Sequence, residues 1–314
     1  MILYVTFLRF LATCLITNSH YGNIYPLSII ANGGLLGDLL FFSVSGFCLA
    51  EIRLPFYKWY AKRLCRIYPA VWLITILYAL MGVYTVAQGK FVELFVYPTA
   101  YHFVASIVIL YIIYYLAIKI PFVQKHFWQV MLAEVVVWLG IYFTVYDRSY
   151  YHIDNVHEPM IRFLYFDAMM LGWYFRKRKT EVSLPKIGNW MVLFLLFVSY
   201  FVSKLAFVRY EKLALLQIVN QVILFLLVYS IWRCLAGMDV KLKNMPRWLW
   251  RIINYISGIT LEIYVVQYVI IDQFENWVFP VNWLVVTAVI VIAASILHVA
   301  SQYVTKLLDR MIGV

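Results

Sequence analysis

Apolar stretches long enough to cross a bilayer recur along the whole chain, separated by short polar turns. About ten can be read, near residues 2–19, 34–51, 68–87, 103–119, 128–146, 161–176, 188–207, 213–235, 252–271 and 282–305. In lipid every backbone polar group must be satisfied within the span, so stretches of this length are expected to be helices. The pattern predicts an all-α polytopic membrane bundle of about ten transmembrane helices, with residues 1–314 forming a single membrane domain. The sixth stretch, interrupted by Arg162 and Asp167, is the least regular. The first lacks a basic start and a small-residue cleavage site and carries Arg9 near mid-depth, so it is expected to stay as a helix rather than be removed as a signal peptide.

Composition supports this class. The chain is 65% hydrophobic, 19% aromatic and 13% charged, whereas a soluble domain carries about 25% charged residues. With the amino terminus in the cytoplasm, the cytoplasmic loops and carboxyl tail collect nineteen of the 26 basic residues. These are Arg53, Lys58, Lys62, Arg63 and Arg66, then Lys119 and Lys125, then Arg176, Lys177, Arg178, Lys179 and Lys186. Arg233, Lys241, Lys243, Arg247, Arg251, Lys306 and Arg310 complete the set. That bias follows the positive-inside rule and predicts both termini in the cytoplasm. The net charge of +11 is thus read as topology and contact with anionic membrane lipids. No nucleic-acid motif accompanies it, and nucleic acid is not an expected partner. The four cysteines form no Cys-x-x-Cys pair, and the expectation is core filler.

Arg9 and His20 lie eleven residues apart, close to three helical turns, so on one helix they project from nearly the same face roughly 16 Å apart. An arginine inside a bilayer costs about 3 kcal/mol on insertion scales, which favours a partner or a task; snorkelling to the surface is the alternative. An imidazole at the outer end suits general-base removal of a hydroxyl proton, or nucleophilic transfer of an acyl group. Asp38 enters from the same side and is a candidate to orient that imidazole, or else an interfacial aspartate. Ser43 and Ser45 lie in a small-residue segment that suits close helix packing, and Ser45 is also a candidate substrate contact. The segment Phe56 to Pro69 reads as an inner loop with Lys62, Arg63 and Arg66, Pro69 opening the third span. Arg63 and Arg66 form a two-pronged cationic face suited to phosphate, or to lipid headgroups.

Arg9 with His20, Phe41-Phe42-Ser43-Val44-Ser45-Gly46-Phe47, and Arg63-Leu64-Cys65-Arg66-Ile67-Tyr68-Pro69 together resemble, in order and spacing, the membrane-bound acyltransferase 3 family. Arg162-Phe163 with Met169 to Gly172, and Ser257 to Tyr264, extend the resemblance more weakly along the chain. Two departures stand out: Leu39 occupies a position often acidic in the family, and Gln267 one often histidine. The resemblance implies an acyl-CoA-dependent O-acetyltransferase of a bacterial inner membrane, acting on a carbohydrate such as an exopolysaccharide or lipopolysaccharide O-antigen. It implies His20 as the catalytic group, Arg63 and Arg66 (with Lys62) as cofactor contacts for acetyl-CoA, Arg9 as a channel residue and no metal. Arg162, at the outer mouth, is a candidate acceptor contact. A transporter or flippase of glycans or lipid-linked sugars, or a non-catalytic partner in glycan assembly, would carry similar intramembrane charges. Glu134, Asp167 and Glu262 read as paired charges or pathway residues, His298 as a satisfied helix histidine, and the His152–Glu158 loop as solvated.

Overall fold

The computed structural model describes residues 2–84, 90–177 and 187–312; Arg178, Lys179 and Lys186, expected on an inner loop, lie outside the described residues. Among those described, the regular structure is helical and no strand occurs. In chain order the α-helices are α1 Leu3–Ser19, α2 Gly34–Cys48, α3 Phe56–Leu80, α4 His102–Lys119, α5 Pro121–Lys125 and α6 Phe127–Thr144. They continue with α7 Ile161–Lys177, α8 Ile187–Arg209, α9 Gln217–Leu235, α10 Asp239–Lys243, α11 Arg247–Gly258, α12 Thr260–Asp272 and α13 Val281–Ile312. Seven regions, those of α2, α3, α4, α6, α8, α9 and α13, are long and apolar enough to cross a bilayer. The ninth apolar stretch is not one straight span: α11 and α12 meet at 76°, making an eighth crossing if the bent pair is one. The first and sixth stretches are helical as expected, but α1 and α7 have only 17 residues each.

The chain divides into two compact units. The first comprises Met1–Val5, Leu39–Glu51 and Ile112–Met245. Its tightest joint is between α2 and α7. A Cβ on Gly46 would strike the backbone carbonyl of Met169, and one on Gly172 would strike that of Ser43. The two glycines thus let the helix backbones touch, which accounts physically for the small residues of both motifs. Ser43 is fully buried, donating to the Leu40 carbonyl (2.7 Å) and accepting from Trp232 Nε1 (2.8 Å). Trp232 in turn packs on Phe47 and Phe175, with ring centroids at 5.2 and 5.3 Å. Ser45 is half-buried on the same helix.

Gly46→Ala is therefore expected to destabilise the protein by at least the 1–3 kcal/mol or so that overpacking costs. Gly140→Ala, where a Cβ meets nothing within 4 Å, is expected to be neutral or slightly stabilising. Thermal unfolding of the two variants in the same detergent checks this.

The His152–Glu158 loop is solvated in part: Asn155, Val156 and His157 are exposed, but its start is not. His152 and Ile153 are buried, and both backbone N–H groups donate to Gln217 Oε1 at 2.9 Å. The imidazole stacks between Tyr146 and Tyr150, so it is held in an aromatic cluster rather than presented to solvent. Arg162 is half-buried at the start of α7.

The second unit comprises Thr6–Asp38, Ile52–Tyr111 and Pro246–Val314. Here α1 and α2 approach closely at Gly37, whose Cβ would lie 2.9 Å from the Ala12 carbonyl oxygen. The basic segment is not a loop and Pro69 does not open a span: α3 begins at Phe56 and runs through Pro69. Proline removes the N–H that would bond the carbonyl of residue 65. The hydroxyl of Thr305 on α13 donates to the Cys65 carbonyl instead, at 3.1 Å. That bond satisfies the orphaned acceptor, so the helix continues. The bend between α11 and α12 is satisfied in a similar way, with the Thr260 hydroxyl donating to the Ser257 carbonyl and accepting from Thr13, both at 3.0 Å. The cysteines depart from expectation by half: Cys65 and Cys234 are buried, whereas Cys14 and Cys48 are exposed. A thiol is apolar enough to face lipid as readily as core.

Candidate functional site

The candidate residues of the second unit gather at two levels. At one end is His20. It follows directly on α1, which stops at Ser19, where the first apolar stretch ends. The Ser19 hydroxyl donates to the Ile16 carbonyl (2.7 Å), the acceptor that the His20 N–H would use in a continuing helix. The His20 N–H bonds Thr17 instead, at 3.1 Å. The last turn of α1 thus closes on a tighter 3₁₀-type bond, with the imidazole just beyond it.

It packs edge-to-face on Tyr268 of α12, ring centroids 4.7 Å apart. Tyr268 lies one turn from Tyr264, and both approach Tyr101 at 6.4 to 6.5 Å between centroids. The Tyr84 hydroxyl, 3.4 Å from that of Tyr101, extends the phenol cluster. Asp38 is buried, and its charge acts on Tyr264 and Tyr268. Tyr268 is thus close both to the His20 ring and to the charge of Asp38. His20 lies beyond the helical span of α1, and burial pushes its imidazole down to about 4. Near neutral pH it is the uncharged ring, with a nitrogen lone pair available.

At the other level, α3 carries Lys62 and Arg63, both half-buried, and Arg66, exposed one turn on. Arg63 and Arg66 share one helix face, as their three-residue spacing requires. The distance between levels can be read along α3. Cys65, beside the arginines, meets Thr305, while the Tyr78 hydroxyl donates to the Val266 carbonyl two residues before Tyr268. Thirteen residues separate Cys65 from Tyr78, about 20 Å of helix. Arg9 is half-buried on α1, one turn before Thr13 and therefore near the α11–α12 bend.

A chain of polar groups lies between the two levels on α12 and α13. Glu262 accepts from His298 Nδ1 at 2.8 Å and from the Ser301 hydroxyl at 3.3 Å. His298 Nε2 lies 2.7 Å from Gln302 Nε2. Glu262 is therefore hydrogen-bonded to α13, and His298 has partners on both ring nitrogens. Among the described residues no group of three or more His, Cys, Asp or Glu side chains could hold a metal ion. Ser45 and Arg162 belong to the other unit.

A family model described as an acyltransferase domain matches residues 2–300. The chain belongs to the acyltransferase 3 family. No curated protein and no solved structure matches it. Membership makes this acyltransferase 3 protein a membrane acyltransferase in general terms, and its many long apolar helices agree. Within that family frame, the sequence overlooked Tyr268. The i, i+4 spacing of Tyr264 and Tyr268 puts both on one face of a helix, but nothing local says that His20 will pack there. Gln267, where the resemblance led to histidine, is fully buried.

Proposed function

We propose that this protein moves an acyl group, most simply acetyl, from acyl-CoA to a hydroxyl of a cell-surface or exported carbohydrate, in a bacterial inner membrane. Support comes from one observation above all. A neutral, half-buried imidazole in a tyrosine cluster and a Lys62–Arg63–Arg66 cationic face occupy opposite levels of the same unit, about 20 Å apart along α3.

In this reading the guanidinium groups of Arg63 and Arg66, with Lys62, hold the CoA phosphates through charge-assisted hydrogen bonds. Arg9 offsets negative charge between the two levels, where the low dielectric makes a fixed cation count for more. His20 takes the proton of the acceptor hydroxyl as its oxygen attacks the thioester carbon. The C–S bond breaks and the thiolate of CoA leaves, finally collecting the proton from the imidazolium. Asp38 offsets the positive charge that develops on the ring, acting through Tyr268. The phenols present flat apolar faces and hydroxyl edges, a combination suited to a sugar.

The direct test is transfer of label from acetyl-CoA to polysaccharide by purified protein in liposomes. Label in the glycan, dependent on the protein, supports the reading. Movement of glycan across the membrane with no CoA dependence overturns it in favour of a transporter.

The pH profile is a second test. The imidazole must be unprotonated to act as base, and protonation removes activity as pH falls through its value of about 4. We therefore expect kcat/KM to hold nearly level from pH 8 down to about 5. A histidine at its ordinary value of about 6.5 would have lost most of its activity by that point. An acid limb centred near 6.5 would show that the buried ring is not the base.

A further inference from the structure

The first unit holds a cavity of about 370 Å³ between α6, α7 and α9. Its walls are almost wholly apolar and aromatic, with Phe127, Trp128, Leu132 and Phe225 among them. Trp128, Leu132 and Val222 at its rim are exposed on the apolar faces of α6 and α9, so its mouth opens toward the acyl chains of the bilayer. Its interior is not inert. Asp167, 4% exposed, and Gln221, fully buried, both line it. Gln221 donates its Nε2 to the Ile153 carbonyl at 2.9 Å, but its Oε1 has no hydrogen-bond partner.

Glu134, one turn from the cavity-lining Trp138, faces the Asp167 carboxyl. Apart from that mutual contact, both oxygens of Glu134 and Oδ1 of Asp167 are buried without a partner. Trp138 Nε1, also buried, is without one too. Glu134 is the eighth of 18 residues in α6 and Asp167 the seventh of 17 in α7, so both lie near mid-helix. Among the described residues no basic side chain forms an ion pair with either.

A buried carboxyl pair without a basic partner is costly, and intramembrane carboxyls normally have a counter-charge or a task. Apart from Trp138 Nε1, the atoms around the cavity left without a partner beyond the carboxyl pair's own contact are oxygens. A ligand that completes the site must therefore bring hydrogen-bond donors, positive charge and an apolar body. The aromatic walls favour a cation further, since indole and phenyl faces attract one.

We propose that this cavity is a binding site for a lipophilic ammonium ion, an alkyl or aryl amine that enters from the bilayer and sets its charged nitrogen against Asp167 and Gln221, with Glu134 behind Asp167. A hydroxylated lipid would donate one hydrogen where an ammonium donates up to three, so the amine is favoured. The proposal rests on the first unit alone and does not depend on the acyl-transfer reading.

The test is equilibrium binding of tritiated dodecylammonium to the full protein in nanodiscs, with empty discs subtracted and unlabelled dodecanol as competitor. We expect one saturable site per chain and at least tenfold weaker competition by dodecanol. Asp167→Asn and Glu134→Gln, which keep side-chain shape, should each weaken binding about tenfold or more. Leu132→Trp, which narrows the mouth without touching a carboxyl, should do the same even if the polar variants fold poorly. Leu226→Trp, on an exposed position of α9 outside the cavity lining, should bind as the parent does. Equal competition by dodecanol, unsaturable partitioning, or unchanged binding in folded Asp167→Asn or Leu132→Trp would overturn the proposal.

Discussion

His20→Ala is expected to lower acyl transfer by about 10²–10⁴-fold, the range that general-base catalysis supplies, while leaving the protein folded. The fold should survive because the imidazole is half-buried beyond the last turn of α1, where it packs against Tyr268 and fills no core position. The backbone bond from His20 to Thr17 does not involve the side chain and persists in alanine. The loss should fall on kcat, since deprotonation matters only as the transition state forms. Retention of parental kcat by a well-folded His20→Ala protein would remove the imidazole from the mechanism. A histidine that carries the acyl group would show the same loss. A burst of CoA release in the absence of acceptor separates that route from direct transfer.

Replacing Arg63 and Arg66 together by alanine should act at the other level and in the other constant. Each charge-assisted contact to phosphate contributes about 1.5–3 kcal/mol, so the pair should raise KM for acyl-CoA by roughly two orders of magnitude or more, with a smaller change in kcat. Affinity for CoA should also weaken with added salt in the parent and less so in the double variant, because exposed charge–charge attraction is screened. Arg66 is exposed on α3, and its truncation opens no core cavity. Arg53→Ala, on an exposed position before α3, is the matched charge control and should leave KM near the parent value. If titration shows CoA binding unchanged in the double variant, the cationic face serves the membrane surface instead.

Much of the site was readable because it rests on spacing within one helix. Arg63 and Arg66 fall on one face by helical geometry alone, and the structure only extends their helix back to Phe56. His20 stands one residue past α1, at the end of the stretch read for it. The Ser19 hydroxyl captures a carbonyl that periodicity assigns to the backbone ladder, a local competition that a hydrophobic pattern does not record. Pro69 was read as a start for a comparable reason. Proline ends helices unless the freed carbonyl finds another donor, and that donor, Thr305, lies 240 residues away.

The chain by itself determined its class, the near-periodic series of apolar helices and its family, because hydrophobicity and motif order are local and additive along the sequence. Tertiary structure decided the rest. It chose Tyr268 as the neighbour of His20, paired Glu134 with Asp167 and Glu262 with His298, and turned two motif glycines into a backbone joint. Each is a contact between residues far apart in the chain. Several helix faces can be buried without loss of apolar area, and which partner wins is set by shape and unsatisfied polar atoms at close range, quantities that exist only once the helices have packed.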